Sequence, residues 1–350
     1  MIGVRVLRLW ALAAVACAVL TTIQSDAGAC GGFFSRSTIE GPRRPSLAYE
    51  QTLIVFDEQK QRQHFIREVA FKTSNEAFGF VVPTPTRPDV GAVKPSPFAE
   101  LRRRFPFQRS FVGTRGKGAG LGFGSGPPPA GGGVTVLEKK TVGSFTAFVL
   151  AADDEKALAS WLKKHQLVST PEADVWLAHY VKMKFFYVAM RYNPPKGGAK
   201  ATGSVSAETM RISFDTPVAY YPYFEPNPPK GVSGTEQRML ELWFASARQA
   251  VPVASRMESN VAKWVRPMAE GVQHASARGA LESVLGTDAK LLPEGELQVQ
   301  TFIDQKRSRS GFGDVLFVAK ERRALSDEQK QKLGPLLPIL DPSLIPGAKP

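Results

Sequence analysis

The sequence predicts an α+β fold: mainly antiparallel sheets, a few helices packed on one sheet face, and a long Gly/Pro-rich loop or linker in the middle. Three observations indicate this class. Short apolar runs with strand-like alternation are separated by polar or glycine turns. Two helix patterns stand between pairs of predicted strands, in the order ββααββ. Residues 113–133 contain ten glycines and three consecutive prolines, too few bulky side chains to form a packed unit.

The first part of the predicted fold is a β-hairpin. Residues 47–57 and 63–72 are rich in β-branched and aromatic side chains and are joined by a polar turn. The run 77–82 is almost continuously apolar, which predicts a strand buried on both faces, and Pro83 marks its end. A short helix is expected over residues 98–105.

The region after the linker predicts two strands, two helices and two more strands. Strands are expected at 134–139, 145–150, 185–192 and 208–216. Asp153 or Asp154 can cap the first helix, and a capping box formed by Ser169 and Glu172 begins the second.

The C-terminal part has weaker patterns. Residues 240–247 could form a strand or a helix, and their alternating apolar residues favour a strand. Strands are also expected at 297–304 and 314–320, and helices at 276–285, ending at Gly286, and after Ser326. The chain is thus divided into a signal peptide (1–29), a β-rich unit (30–112), the linker or loop (113–133), an α+β unit (134–225) and a C-terminal α+β extension (226–350).

The N-terminus has the features of an export signal. Two arginines precede an apolar run at 9–23, and the small residues Ala27-Gly28-Ala29 follow it. The run is about 15 residues long, and a bilayer span needs roughly 20. Cleavage is therefore expected between Ala29 and Cys30, which gives an exported protein, periplasmic or extracellular.

Cys30 would then be the first residue of the mature chain. Lipidation at this cysteine is an alternative, but Ala27 stands where a lipoprotein signal normally has a bulky aliphatic residue, so plain secretion is favoured. The other cysteine, Cys17, lies inside the signal. The mature chain therefore has one thiol and no internal disulfide.

The charge of the chain indicates anionic partners. The net charge is +13, and it becomes +12 when residues 1–29 are removed with their two arginines and one aspartate. Envelope lipid head groups or acidic polysaccharide are the expected partners, and no specific nucleic acid is expected. Basic clusters occur at 102–104, 306–309 and 320–323. Lys306, Arg307 and Arg309 are the predicted anionic contact, and the alternative is that these clusters are ordinary solvated surfaces with acids nearby. The mature chain has no predicted transmembrane segment, and its oligomeric state is left open.

The sequence contains no motif that specifies a catalytic, cofactor or metal site. The four histidines show no metal-binding spacing, there is no C-x-x-C or G-x-S-x-G motif, and the glycine-rich segment does not match a phosphate-binding loop. No cofactor or metal is predicted. His64 is interpreted as a strand residue without a functional role, His165 as half-buried near a helix end, and His179 as exposed.

The segment 220–224 places four aromatic residues in five positions. The rings could form an exposed stacking platform, or prolines could fix an extended segment whose rings pack on the sheet. We favour packing on the sheet, because four rings can bury a large apolar area.

Several short motifs resemble one bacterial family. They are Cys30-Gly31-Gly32-Phe33-Phe34 directly after the signal, the step from Phe80 to Pro85, Pro88-Asp89-Val90, and Val142-Gly143-Ser144-Phe145. Together they resemble the secreted proteins grouped as domain of unknown function 2330, over roughly residues 30–225. The resemblance implies an exported α+β protein without an assigned activity. We expect a non-catalytic binding or structural protein of the cell envelope with a basic surface. The alternative is an extracytoplasmic enzyme whose site is assembled from distant residues.

Overall fold

The computed structural model describes residues 32–35, 46–72, 78–107, 133–193, 204–206, 209–226, 239–258, 261–306, 309 and 311–320. The strands within these ranges are β1 (Gly32–Ser35), β2 (Ser46–Asp57), β3 (Arg62–Lys72), β4 (Phe78–Thr84), β5 (Asp89–Ala92), β6 (Val134–Val142), β7 (Phe145–Ala152), β8 (Phe186–Tyr192), β9 (Ser204–Ser206), β10 (Met210–Asp215), β11 (Ala219–Tyr221), β12 (Met239–Ser246), β13 (Ala250–Glu258), β14 (Val261–Val265), β15 (Ala269–His274), β16 (Gln298–Asp304) and β17 (Val315–Ala319). The helices are α1 (Phe98–Arg104), α2 (Glu155–Lys164), α3 (Pro171–Lys182), α4 (Arg278–Leu285) and the 3₁₀-helix Gly286–Leu291.

The strands form three sheets. A five-stranded sheet has the order β1-β4-β8-β7-β6, and a four-stranded sheet has the order β11-β17-β13-β14. The large sheet has the order β15-β16-β12-β2-β3-β10-β5, with β9 beside β3. Among the described strands, β2 and β12 pair in parallel and the other pairs are antiparallel. The predicted α+β class with antiparallel sheets is confirmed.

The large sheet is buried on both faces, as strand β2 illustrates. Ile54 and Phe56 belong to the main core, whereas Leu53 and Val55 belong to a second core on the opposite face. Successive side chains of a strand point to opposite faces, so this alternation places one apolar row in each core. The uninterrupted apolar run of β2 follows from that position.

Each core is closed by different elements. The main core includes buried residues from all three sheets, and Phe244 of the large sheet stacks on Phe317 of the four-stranded sheet at a centroid distance of 4.5 Å. The second core is covered by α1 and α4, which contribute Leu101 and Leu281. Helix α2 covers the five-stranded sheet, where its Trp161 contacts Phe148 of β7.

Several local predictions are confirmed. Strands β2 and β3 form the predicted hairpin. All seven residues of β4 are buried. Helix α2 begins after Asp154, whose Oδ1 accepts a hydrogen bond of 2.7 Å from the Ala157 backbone. Helix α4 ends at Gly286, whose φ of 54° favours glycine.

The predicted capping box of the second helix is wrong by one residue. The N-cap of α3 is Thr170, whose side chain accepts from the Ala173 backbone at 3.3 Å, and not Ser169. Thr170 directly precedes Pro171, and proline is well suited to the first helical position because its φ is already helical. The position of the proline therefore sets the start of this helix.

The sheets combine segments that the sequence analysis assigned to different units. In the five-stranded sheet, β4 lies between β1 and β8, so strands from both sides of segment 113–133 pair directly. In the large sheet, β2 pairs with β12, which comes from the predicted C-terminal extension. The predicted unit boundaries therefore do not coincide with sheet boundaries. Residues 113–132 and the predicted helix after Ser326 lie outside the described residues.

Candidate functional site

Five ionisable side chains meet inside the protein, and we call them the buried ionic cluster. Its members are Glu50 of β2, Arg67 of β3, Glu225 after β11, Asp304 at the end of β16, and Arg309 between β16 and β17. The exposed fraction of these side chains lies between 0% and 4%. Charged residues are almost never buried to this degree unless they are paired. This degree of burial makes the cluster a candidate functional site.

The acids and bases of the cluster are paired with one another. Arg67 Nε lies 2.7 Å from Glu50 Oε1, and Arg309 Nε lies 2.8 Å from Asp304 Oδ2. Arg309 Nη1 lies 3.6 Å from Glu225 Oε1 and 4.0 Å from Glu50 Oε2. One guanidinium therefore faces three carboxylates. Burial lowers the pKa of Arg309 to about 9, but the neighbouring carboxylates favour its charged form.

A further cation closes the cluster from its outer side. Lys306 Nζ lies 3.2 Å from Asp304 Oδ1, and the Lys306 side chain is 39% exposed. It also donates to the Pro267 carbonyl. With Lys306 included, three carboxylates face three cations, so the group as a whole carries no net charge.

Tyrosines from the segment after β10 surround the cluster. Tyr223 donates a hydrogen bond of 2.9 Å to Asp304, and the Arg309 guanidinium lies 4.9 Å from the Tyr223 ring centroid. Burial and, secondarily, the Glu50 carboxylate raise the pKa of Tyr221. Tyr220, Tyr221 and Tyr223 have no exposed surface. The interpretation that these rings pack on the sheet is confirmed, and they do not form an exposed stacking platform.

Asp314 forms a second polar centre near the cluster. Its carboxylate accepts hydrogen bonds of 2.9 Å from Tyr180, Tyr220 and the Phe224 backbone. Burial raises the pKa of Asp314 to about 6, although these hydrogen bonds act in the opposite direction. The centre connects α3, β11 and the start of β17. Its geometry is that of a structural junction.

A third polar group lies on the large sheet, on the face that carries Val55 and Ile66 of the second core. His64 Nδ1 is 2.7 Å from Ser213 Oγ, and Arg211 also donates to this oxygen. Arg211 Nη2 lies 2.8 Å from Asp89 Oδ2. Burial, followed by the charges of Arg211 and Arg62, lowers the pKa of His64 to about 4. The imidazole is therefore neutral at pH 7.

The His64 and Ser213 pair has the separation of a nucleophile and its base. Ser213, however, has no exposed surface, and its hydroxyl is already engaged by His64 and Arg211. A nucleophile must reach the carbon that it attacks, so this arrangement does not provide an acyl-transfer site. The hydroxyl instead connects strands β3 and β10.

The sequence of residues 25–224 matches the family described as an uncharacterized protein conserved in bacteria (DUF2330). The chain belongs to this family. Among curated proteins, none matches the chain in sequence. Among solved structures, the crystal structure of baculovirus P35 has a TM-score of 0.34 and 9% sequence identity, covering 79% of this chain and 92% of that chain. That similarity is too low to indicate a shared fold or function.

The DUF2330 match contains only part of the buried ionic cluster. Glu50 and Arg67 lie within it, whereas Glu225, Asp304 and Arg309 follow it in the chain. The family region and the C-terminal extension therefore build one interior together. The extension completes the fold of this DUF2330 protein.

The predicted anionic contact is only partly accessible. Arg309 is buried and paired with three carboxylates, so it cannot meet an external anion in this structure. Lys306 is half-exposed and bound to Asp304. Ala29, Cys30 and Arg307 lie outside the described residues.

The arginines of α1 are also engaged with acids. Arg102 lies 2.9 Å from Glu241, and Arg103 and Arg104 pair with Glu100. This basic cluster is therefore partly neutralised by its neighbours. Three arginines share two carboxylates.

Two absences apply to the described part of the chain. No three or more His, Cys, Asp or Glu side chains are grouped there as a metal site would require. Its helices are also too short or too polar to cross a membrane.

The sequence analysis missed the buried ionic cluster, although one local signal pointed to it. Arg67 stands between Phe65 and Val69 at alternating positions of β3, so the strand period places its side chain on the inward face. Glu50 has the same relation to Ile54 in β2. The partners Asp304 and Arg309 gave no such signal, because they lie at the end of a strand and in a loop.

Proposed function

We propose that this protein is exported and acts as a non-catalytic binding protein of the bacterial cell envelope, which contacts anionic material through its basic surface. The observation that carries the proposal is the charge balance of the interior. The buried ionic cluster and Lys306 pair three acids with three bases. These interior groups therefore contribute nothing to the net charge of +13.

Exposed lysines support this reasoning. In the described part of the chain they include Lys60, Lys94, Lys139, Lys140, Lys156, Lys163, Lys164, Lys182, Lys184 and Lys290. Each exposed lysine can attract an anionic group over about a Debye length, roughly 8–10 Å at physiological salt. The enzyme alternative is not favoured, because the His64 and Ser213 pair, which has the spacing of a base and a nucleophile, contains the buried Ser213.

Export is part of the proposal and can be tested by mass. We expect the protein recovered from the periplasm or medium to begin at Cys30, because the small residues Ala27-Gly28-Ala29 follow an apolar run. Intact-mass spectrometry measures this directly. A product that retains residues 1–29 would contradict cleavage, and a diacylglyceryl adduct on Cys30 would show a lipid anchor in place of plain secretion.

Anion binding is tested by a salt series. We expect the mature protein to be retained on an anionic polysaccharide or lipid matrix at about 50 mM salt and released well below 1 M, because each neutralised anion frees a counterion and the screening length falls with salt. A matched neutral matrix is the control. Absence of retention at low salt would end the proposal. Arg309 is unsuitable as a test variant, because its substitution would disturb the interior.

A further inference from the structure

Helix α2 and the edge strand β6 form a surface that combines aromatic rings with lysines. We call it the α2–β6 patch and define it as Val136, Lys139, Trp161, Lys164 and His165. Strand β6 is the outermost strand of the five-stranded sheet. Neither the interior clusters nor the His64 group involves these residues.

The rings of the patch are held in fixed positions. Trp161 and His165 stack with centroids 3.8 Å apart and planes 21° apart. Phe148 meets both rings edge to face at 5.1 Å. The Trp161 carbonyl lies 2.8 Å from His165 Nδ1 and can only accept, so that nitrogen donates. Trp161 and His165 are half-buried, and the stacked pair therefore keeps a solvent-facing part.

Lysines border the stacked rings. Lys139 pairs in register with Phe148, and its Nζ lies 5.7 Å from the Phe148 ring centroid. Lys164 is exposed and lies one helical turn after Trp161. The nearest acid along β6, Glu138, pairs in register with Val149, so it points to the opposite face. The patch therefore presents positive charge beside aromatic surface.

We propose that the α2–β6 patch binds an acidic polysaccharide, with a uronic acid unit as the recognised group. The inference rests on the proposed function and names its partner and site. A sugar ring has an apolar face that can pack on flat aromatic surface, and its carboxylate can pair with an ammonium group. Trp161 with His165 supplies the first contact, and Lys139 with Lys164 supplies the second. Val136, which is 46% exposed, extends the apolar surface along β6.

The ring geometry favours a polysaccharide over a lipid surface. Membrane insertion requires apolar side chains that enter the interface by about 5–10 Å. Trp161 instead packs against Phe148 and His165, which makes the aromatic surface shallow and rigid. A polysaccharide chain can lie across a shallow aromatic surface that is bordered by lysines. A lipid partner is therefore an outcome of the test that would contradict the inference.

The test measures binding of the full mature chain to polygalacturonate, a uniform uronic acid polymer, at about 50 mM salt. We expect the double variant Lys139→Ser/Lys164→Ser to raise the Kd about fivefold to tenfold, the effect of losing two surface charge contacts. The matched control Lys156→Ser/Lys290→Ser removes the same charge from exposed positions outside the patch and should raise the Kd less than about twofold. Trp161→Leu, with its folding checked by circular dichroism, should raise the Kd about fivefold or more through loss of stacking.

The outcomes separate the site from the proposed function. If the unchanged protein binds polygalacturonate and the two double variants lose affinity equally, binding depends on total charge and not on the α2–β6 patch. The patch is then not the site, while the proposed function stands. If the unchanged protein binds vesicles of phosphatidylglycerol but not polygalacturonate, the polysaccharide inference is overturned. If it binds neither probe, the inference and the proposed function both fail.

Discussion

Replacement of Arg309 by Met is expected to lower the free energy of unfolding by about 3–5 kcal/mol. The buried guanidinium faces the buried carboxylates of Asp304, Glu225 and Glu50. Methionine would fill much of the volume but would leave three buried carboxylates with too little positive charge. The measurement is urea denaturation at pH 7, followed by circular dichroism.

A matched variant separates this effect from the loss of any arginine. Arg266 is exposed, so Arg266→Met should change the free energy of unfolding by less than about 0.5 kcal/mol. Adding Asp304→Asn to Arg309→Met should recover part of the loss, because one unpaired carboxylate is then neutral. If the free energy of unfolding of Arg309→Met is within about 1 kcal/mol of that of the unchanged protein, the expected contribution of the buried Arg309 ion pairs is wrong.

Truncation after Pro226 is expected to abolish cooperative folding. The remaining chain, residues 30–226, contains the DUF2330 match from residue 30 to its end at residue 224 but lacks β12, which pairs with β2 in the centre of the large sheet. Residues 51–57 of β2 are all buried in the complete protein. Without β12 they would form an open apolar edge, and such edges promote aggregation. The interior would also lose Asp304, Arg309 and Asp314.

Thermal unfolding and size-exclusion chromatography of residues 30–226 provide the measurement. We expect no cooperative transition and elution as soluble aggregate or in the void volume. Residues 30–350 serve as the control and should unfold in one cooperative transition. A monomeric, cooperatively unfolding 30–226 chain would show that the family region is an independent domain.

Local sequence patterns predicted the elements better than their pairing. The β2–β3 hairpin and the Asp154 cap depend on neighbouring residues, and both are confirmed. The parallel pairing of β2 with β12 depends on residues far apart in the chain, for which strand periodicity gives no signal. Strands β13 to β15 were missed because Pro252 interrupts the first, and glycine and polar residues dilute the apolar pattern of the last.

In the candidate sites too, features set by neighbouring residues were predicted and contacts between distant residues were not. His64 was correctly placed in a strand, but Ser213 is 149 residues away and joins it only through the pairing of β3 with β10. Arg309 is predicted to contact an anion because basic residues surround it in sequence. Its three carboxylate partners come from distant segments, and their position could not be inferred from local composition. The half-buried state of His165 followed from its place on the apolar face of α2.

The parallel pairing of β2 with β12 also has a consequence for how a new chain folds. Tyr49 and Glu241, which meet across these strands, are separated by 192 residues. At a synthesis rate of about 5–20 residues per second, β2 is complete roughly 10–40 s before its partner exists. Pairings over such distances also form slowly, because the loop entropy must be lost before contacts compensate for it. During this interval the β2–β3 hairpin has an unpaired apolar edge. The nascent chain is therefore prone to self-association until residue 246 has been synthesised.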